Sequence, residues 1–257
     1  MLRCAPMRLP RVATLVLTTL SIAGCLCLGA AMAWYPGGSW WEPNAVGASL
    51  VDTFLCDLMA SHTPGGWTNP VGSRFGRAGM ALLVAALLLA WWLVGALESE
   101  STARRTVSTR QRRVARVVGI GGLIPLAVAL VTPGAWLHAV VIPAAGLLEF
   151  IALGLATAGA IRSPRLRVVG LLGGGLGVVV LVGLAYYWPT ISHGELACRG
   201  LPAIQKLGVV ILSAWMVAIA HATWTRPLTS HGRRPSISKS PTSSAPTRKV
   251  CTRRMES

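Results

Sequence analysis

The sequence predicts an all-α protein, a polytopic transmembrane bundle of six helices with a short amphipathic helix in an outer loop. Three observations predict this fold class. The composition is 53% hydrophobic and only 12% charged, whereas about a quarter of the residues of a soluble domain are charged. Long apolar stretches alternate with short polar segments, and Lys and Arg are concentrated in every second polar segment.

A helix needs about 20 mostly apolar residues to cross ~30 Å of hydrocarbon. Stretches that qualify are 12–34, 78–97, 117–161, 168–188 and 207–224. The third is 45 residues long, too long for one crossing, and Thr132-Pro133-Gly134 interrupts it. Because Pro removes a backbone donor and Pro-Gly marks a turn, this stretch is predicted to form two helices, 117–131 and 135–161. The count is then six spans.

The distribution of basic residues predicts the orientation. With the N-terminus inside, the cytoplasmic segments are 1–11, 98–116, 162–167 and 225–257, and they hold 20 of the 24 Lys and Arg residues. The outer face keeps Arg74, Arg77, Arg199 and Lys206. This is the positive-inside pattern of a cytoplasmic membrane protein, with both termini cytoplasmic.

The predicted organisation has three parts: a cytoplasmic N-terminus (1–11), a six-span membrane domain (12–224) with an outer loop at 35–77, and a basic tail (225–257). The tail is rich in Ser, Thr and Pro without apolar periodicity, so we expect it to be disordered. The Lys and Arg residues that give the net charge of +16 lie between apolar runs and not among stacking aromatics. We therefore expect membrane lipids as partners and no nucleic acid.

The first span admits three interpretations. Basic residues followed by an apolar run resemble a secretory signal, and Ala31-Met32-Ala33 would suit a signal peptidase. Ile22-Ala23-Gly24-Cys25 resembles a bacterial lipobox, in which Cys25 would be lipidated. The apolar run continues past Cys25, longer than the usual 7–15 residues of a signal, which favours an uncleaved span.

The outer loop is rich in Trp, Phe and Leu, so its composition is not that of a disordered segment. Residues 49–59 have apolar residues at i, i+3 and i+4 spacing, which predicts a short amphipathic helix lying on the outer surface. Cys56 and Cys198 are the two cysteines of the outer loops. An oxidising compartment permits a disulfide between them, and two unpaired thiols are the alternative.

Glu149 is the acidic residue deep within a span, eleven residues from His138, or about 16 Å into the bilayer. A charged carboxylate at that depth costs several kcal/mol, so such a group is protonated or turned inward. The functional interpretation is a proton relay or a substrate contact. The alternative is a neutral carboxyl bonded to a neighbouring side chain or carbonyl.

Tyr35-Pro36-Gly37-Gly38, then Phe54-Leu55-Cys56-Asp57-Leu58, then Asn69-Pro70 resemble a group of six-span bacterial membrane proteins of unknown function. That group is similar in layout to DRAM/FRAG-like proteins. The resemblance marks Asp57 and Asn69 as pattern residues and implies no catalytic activity. A Ser often stands at the position of Cys56 in the related pattern, which argues against the disulfide.

The sequence favours a non-enzymatic membrane protein, a small transporter, sensor or scaffold, without cofactor or metal. The alternative is an outer-face, metal-dependent lipid hydrolase that uses Asp57, His62, His193 and Glu195, because His and carboxylate ligands suit Zn²⁺. Against it, the sequence has no HExxH, GxSxG or Walker motif, and the spacing is irregular.

Overall fold

The computed structural model describes residues 9–98, 109–131, 135–161, 163–193 and 199–225. Within these ranges the chain is helical, with no β-strand and two isolated bridges, Gly37 to Val46 and His62 to Thr68. The α-helices of these ranges are α1 (Leu9–Ala33), α2 (Leu55–Met59), α3 (Pro70–Glu98), α4 (Thr109–Val131), α5 (Ala135–Ala160), α6 (Arg167–His193) and α7 (Leu201–Trp224). A 3₁₀ turn, Pro164–Leu166, precedes α6.

In the part of the chain that the structure describes, five helices are long and apolar enough to cross a membrane: α1, α3, α5, α6 and α7. Helix α4 is not among them; its first two turns carry Arg110, Arg113 and Arg116, and its apolar part follows. Its apolar part, 117–131, is about 22 Å long, shorter than the hydrocarbon layer. The crossing by α4, and with it the count of six spans, stays a prediction.

The long helices form a ring in which each packs on its neighbours. Helix α1 contacts α3 and α7, α3 contacts α4, and the pairs α4/α5, α5/α6 and α6/α7 complete the ring. Helices α1 and α3 approach closely where two glycines meet: a Cβ on Gly24 would lie 2.8 Å from Leu83 Cγ, and one on Gly79 would lie 2.9 Å from the Gly24 carbonyl oxygen. Helix α1 is thus an integral part of the packed bundle.

The core of the bundle centres on two tryptophans, Trp91 of α3 and Trp215 of α7. Both are buried, and their ring centroids lie 5.5 Å apart. At one end of the bundle, Arg11 of α1 lies over the ring of Trp224 at 5.6 Å, and Arg165 donates to the Ala222 carbonyl oxygen at 3.3 Å. At the other end, residues 34–69 connect α1 to α3; we call this segment the cap.

Candidate functional site

The cap is held together by backbone contacts between two tight loops. Gly38 donates to the Ala45 carbonyl oxygen at 2.8 Å, and its positive φ of 83° suits glycine. Gly65 packs against the Pro43 carbonyl oxygen so closely that any Cβ there would collide. The buried hydroxyl of Tyr35 donates to the Gly38 carbonyl oxygen at 2.8 Å. These contacts make the cap a folded element.

The helix of the cap is shorter than the sequence predicts. The expected amphipathic helix at 49–59 is not confirmed over its length, because α2 begins only at Leu55. The hydroxyl of Ser49 accepts from the amides of Val51 and Asp52 and forms a separate turn. Phe54 is extended, and the carbonyl oxygens of Leu50 and Thr53 accept from a side chain of α7.

Asp57 lies inside the cap, with only 6% of the residue exposed. One carboxylate oxygen accepts from the Phe54 amide at 3.0 Å, and the other accepts from the indole N–H of Trp40 at 3.3 Å. Burial raises the pKa of Asp57 from 3.8 to about 6, although both hydrogen bonds oppose that shift. Asp57 therefore stabilises the start of α2 and titrates close to neutral pH.

Asn69, which the resemblance marks together with Asp57, fastens the end of α2 to the start of α3. Its side-chain amide donates to the carbonyl oxygens of Leu58 and Ala60 at 3.4 and 3.1 Å. Arg77 of α3 adds a bond from Nε to the Met59 carbonyl oxygen at 3.0 Å. Because these contacts lie within the cap and its junction with α3, both pattern residues have positioning roles.

Three polar side chains join the cap to α7. Lys206, in the second turn of α7, donates to the carbonyl oxygens of Thr53 at 2.5 Å and Leu50 at 3.0 Å. Gln205 accepts from the Leu55 amide at 3.3 Å. Just before α7, Arg199 pairs with Glu42 at 2.6 Å and Asp52 at 2.8 Å. The hydrogen bond from Arg199 holds the pKa of Asp52 below its usual value.

Sequence reasoning missed this attachment. It assigned Arg199 and Lys206 to the outer face only because they are the basic residues left there, and it gave them no partners. The bonds of Lys206 run to backbone oxygens more than 150 residues away. A sequence does not show such contacts, since every residue supplies a carbonyl.

Glu149 lies where α3, α4 and α5 meet. The indole N–H of Trp91 donates to Oε2 at 3.0 Å, and Oε1 is a buried atom without a hydrogen-bond partner. Glycines of α4 make room for the pair: a Cβ on Gly122 would lie 2.9 Å from Oε1, and one on Gly119 would collide with the Trp91 ring. The structure thus turns the carboxyl into the bundle and gives it one neutral donor.

A small, mainly apolar cavity lies beside Trp215. It is lined by Val94, Ala156, Thr157, Ala160, Leu166, Val169 and Trp215. Glu149 is not among the lining residues, and Ala156 stands two turns further along α5. In this state of the protein, the cavity does not connect the Glu149 carboxyl to either end of the bundle.

The residues of the metal-site hypothesis are not assembled by the part of the chain that the structure describes. His62 is exposed in the cap, and its Nδ1 lies 3.3 Å from the Ser61 hydroxyl. The side chain of His193 and all of Glu195 lie outside the described residues. Among the described residues, no three His, Cys, Asp or Glu side chains lie close enough to hold a metal ion.

Cys56 packs half-buried in a small apolar cluster with Phe54, Leu201 and Tyr187. Burial raises the pKa of its thiol to about 12. Cys56 is a free thiol in the structure, and Cys198 lies outside the described residues, so the disulfide stays a prediction. Leu201, which packs in this cluster, stands three residues after Cys198 in the sequence.

No family model, curated protein or solved structure matches this chain. These comparisons do not support the resemblance to DRAM/FRAG-like proteins. The structure supports a more general conclusion. Several long apolar helices pack together, so the chain is consistent with a polytopic membrane protein.

Proposed function

We propose that the protein is a non-enzymatic sensor of the cytoplasmic membrane that crosses the bilayer six times with both termini inside. The cap is its outer receiving element, and the Glu149–Trp91 pair is its intramembrane element. The apolar helices and the alternation of basic segments support the membrane location and the orientation.

One observation carries the proposal of a sensor: α7 touches both elements. Lys206 and Gln205 in its second turn bind the cap, and Trp215 contacts Trp91, which donates to Glu149. Lys206 and Trp215 are separated by about 14 Å along the helix. Because a helix of this length can move as a rigid element, we expect a change at the cap to reach the surroundings of Glu149, and the exchange experiment below tests this coupling.

A small transporter fits the geometry less well. Transport through Glu149 requires a polar path to the carboxyl, whereas the cavity beside Trp215 is apolar and ends short of it. A pure scaffold would not need a carboxylic acid inside the bundle, where the charged form is costly. A sensor uses both the cap attached to α7 and the carboxyl inside the bundle.

Orientation is tested by cysteine accessibility in intact cells. A single cysteine introduced into the cap at Val46, which is 95% exposed, should react with a membrane-impermeant maleimide. One introduced at Arg110, at the start of α4, should react only after the membrane is opened. The reverse result would refute the proposed topology.

Coupling is tested by hydrogen–deuterium exchange in lipid nanodiscs. Lys206→Met should speed exchange several-fold both in the cap and in α3 and α5 around Trp91 and Glu149. Arg77→Met is the matched control, since it removes a cap bond that does not involve α7. If both variants affect only the cap, α7 does not couple the two elements and the proposal of a sensor fails.

A further inference from the structure

The Glu149 carboxyl has too few partners to be an anion. Of its two oxygens, Oε2 accepts from the Trp91 indole and Oε1 has no hydrogen-bond partner. A buried carboxylate normally needs a cation or several donors, because water no longer solvates it. Among the described residues, no ion pair or hydrogen bond joins Glu149 to Lys, Arg or His.

The charged groups of the surrounding helices stand well away from this level of the bundle. The nearest along each helix are Glu98 and Arg77 on α3, Arg116 on α4, Arg167 and His193 on α6, and His221 and Lys206 on α7. Arg116 is six residues from Gly122, about 9 Å along the axis. Helix α5 itself also carries His138, eleven residues before Glu149, whose side chain lies outside the described part of the structure.

We infer that Glu149 and Trp91 form a reversible proton-binding site inside the bundle, in which the carboxyl is neutral and Oε1 carries the proton. The indole N–H fixes Oε2, and the missing side chain of Gly122 leaves room for the protonated oxygen. Loss of the proton leaves a buried negative charge with a single neutral donor, which destabilises the packing of α4 on α5 at this level.

The proton is then the stimulus that the sensor detects. This role rests on the proposed function, whereas proton binding itself does not require any coupling to the cap. The site differs from Asp57, whose carboxyl lies in the cap and accepts two hydrogen bonds.

Dicyclohexylcarbodiimide tests the site in the membrane-embedded protein. The protonated carboxyl adds across one C=N bond of the reagent, and an oxygen-to-nitrogen acyl shift gives a stable N-acylurea, with no leaving group. The residue Glu149 is half-buried although its Oε1 is buried, so the reagent has to approach the carboxyl from the lipid side. Peptide mass mapping should find the label on Glu149, falling about tenfold per pH unit above the midpoint.

Two variants serve as controls. Glu149→Gln should abolish the label on this peptide. Trp91→Phe removes the donor that favours the charged form, so the labelling midpoint should move to higher pH, an effect that a purely structural role for Trp91 would not produce. A water-soluble carbodiimide should modify the exposed Glu42 and spare Glu149.

If the label is absent, infrared difference spectra show whether the Glu149 carboxyl is charged or is protonated but inaccessible to the reagent. The wild type should show the C=O stretch of a protonated carboxyl that Glu149→Gln lacks. Absence of both the label and this band would overturn the inference, and so would protection by Na⁺ at constant pH, which would indicate a metal-cation site. An unchanged midpoint in Trp91→Phe would remove Trp91 from the site. None of these outcomes depends on the exchange experiment with Lys206→Met.

Discussion

The ammonium group of Lys206 lies 2.5 Å from the carbonyl oxygen of Thr53, and this bond joins the cap to α7. The same nitrogen donates to the carbonyl oxygens of Leu50 at 3.0 Å and Pro202 at 3.4 Å. An ammonium has three N–H donors, so all of them are used. The Thr53 oxygen is thereby withdrawn from helix formation, which helps to explain why α2 begins only at Leu55.

Lys206→Met should lower the free energy of unfolding by about 2 kcal/mol, because it leaves carbonyl groups of the cap without their charged donor. Denaturation in detergent, followed by tryptophan fluorescence, measures the change. Val210→Met is the control, since Val210 lies on the same helix with 64% of its surface exposed. Equal stability of the two variants would show that the Lys206 bonds contribute nothing.

Asp57 should make the stability of the cap depend on pH. Its pKa is about 6 in the folded cap against 3.8 for a free side chain. The folded form therefore holds its proton more tightly, and this contribution is fully present only once the pH is well below 3.8. It is lost as the pH rises through 6, by about 3 kcal/mol at pH 7.

The matched variant for this prediction is Asp57→Asn, which cannot ionise. The difference in free energy of unfolding between wild type and Asp57→Asn should change by about 2 kcal/mol between pH 4 and pH 7, to the disadvantage of the wild type. Unfolding curves at several pH values measure it. A difference that stays constant with pH would mean that Asp57 ionises normally in the cap.

The purified protein should retain its first helix. Leu17 is completely buried, and Cys25 of α1 lies 3.0 Å from the Ser213 hydroxyl of α7. Cleavage at Cys25 or after Ala33 would therefore remove part of the bundle core. Intact-mass spectrometry should give a chain that includes residues 1–33, and Cys25→Ala should still insert into the membrane. A lipidated chain that starts at Cys25 would contradict this prediction.

The sequence predicts the positions of the helices well because apolar runs of this length have one stable environment. The break between α4 and α5 is likewise visible, since the helices end at Val131 and resume at Ala135. The start of α3 was predicted at Ala78, but the helix begins at Pro70. Its first two turns carry Arg74 and Arg77, which interrupt the apolar pattern, and Arg77 bonds to the cap.

The candidate site was only half predictable. Glu149 stands out as a carboxyl in an apolar run, whereas its donor Trp91 is one of 10 tryptophans and has no sequence signal. The role of Gly122 is equally hidden, because a glycine in a membrane helix has many uses. Partners that lie on different helices are fixed by packing, and a single sequence does not report packing.

Cys56 should pair with Cys198. Cys56 packs against Leu201, which stands three residues after Cys198, and the outer face is oxidising under the proposed topology. After denaturation, thiol labelling should find two more thiols with reductant than without it. Cys198→Ser is the control and should abolish this difference. The same thiol count in both conditions for the wild type would contradict the disulfide.

Gly122 and Gly121 form a matched pair for testing the packing around Glu149. A Cβ on Gly122 would lie 2.9 Å from Oε1 and 3.3 Å from Cδ and Cγ of Glu149, whereas one on Gly121 meets nothing within 4 Å. Gly122→Ala should therefore displace the carboxyl from Trp91; because the contacted atoms end a flexible side chain, the cost in stability should be at most about 1 kcal/mol.

Gly121→Ala should instead be neutral, or stabilising by up to about 1 kcal/mol, because alanine lowers the backbone entropy lost in a helix. Thermal unfolding in detergent compares the two variants, and carbodiimide labelling of Glu149 reports on the carboxyl directly. The labelling should change in Gly122→Ala and stay as in the wild type in Gly121→Ala. If both substitutions have the same effect on the labelling, α4 does not pack on the Glu149 carboxyl through Gly122.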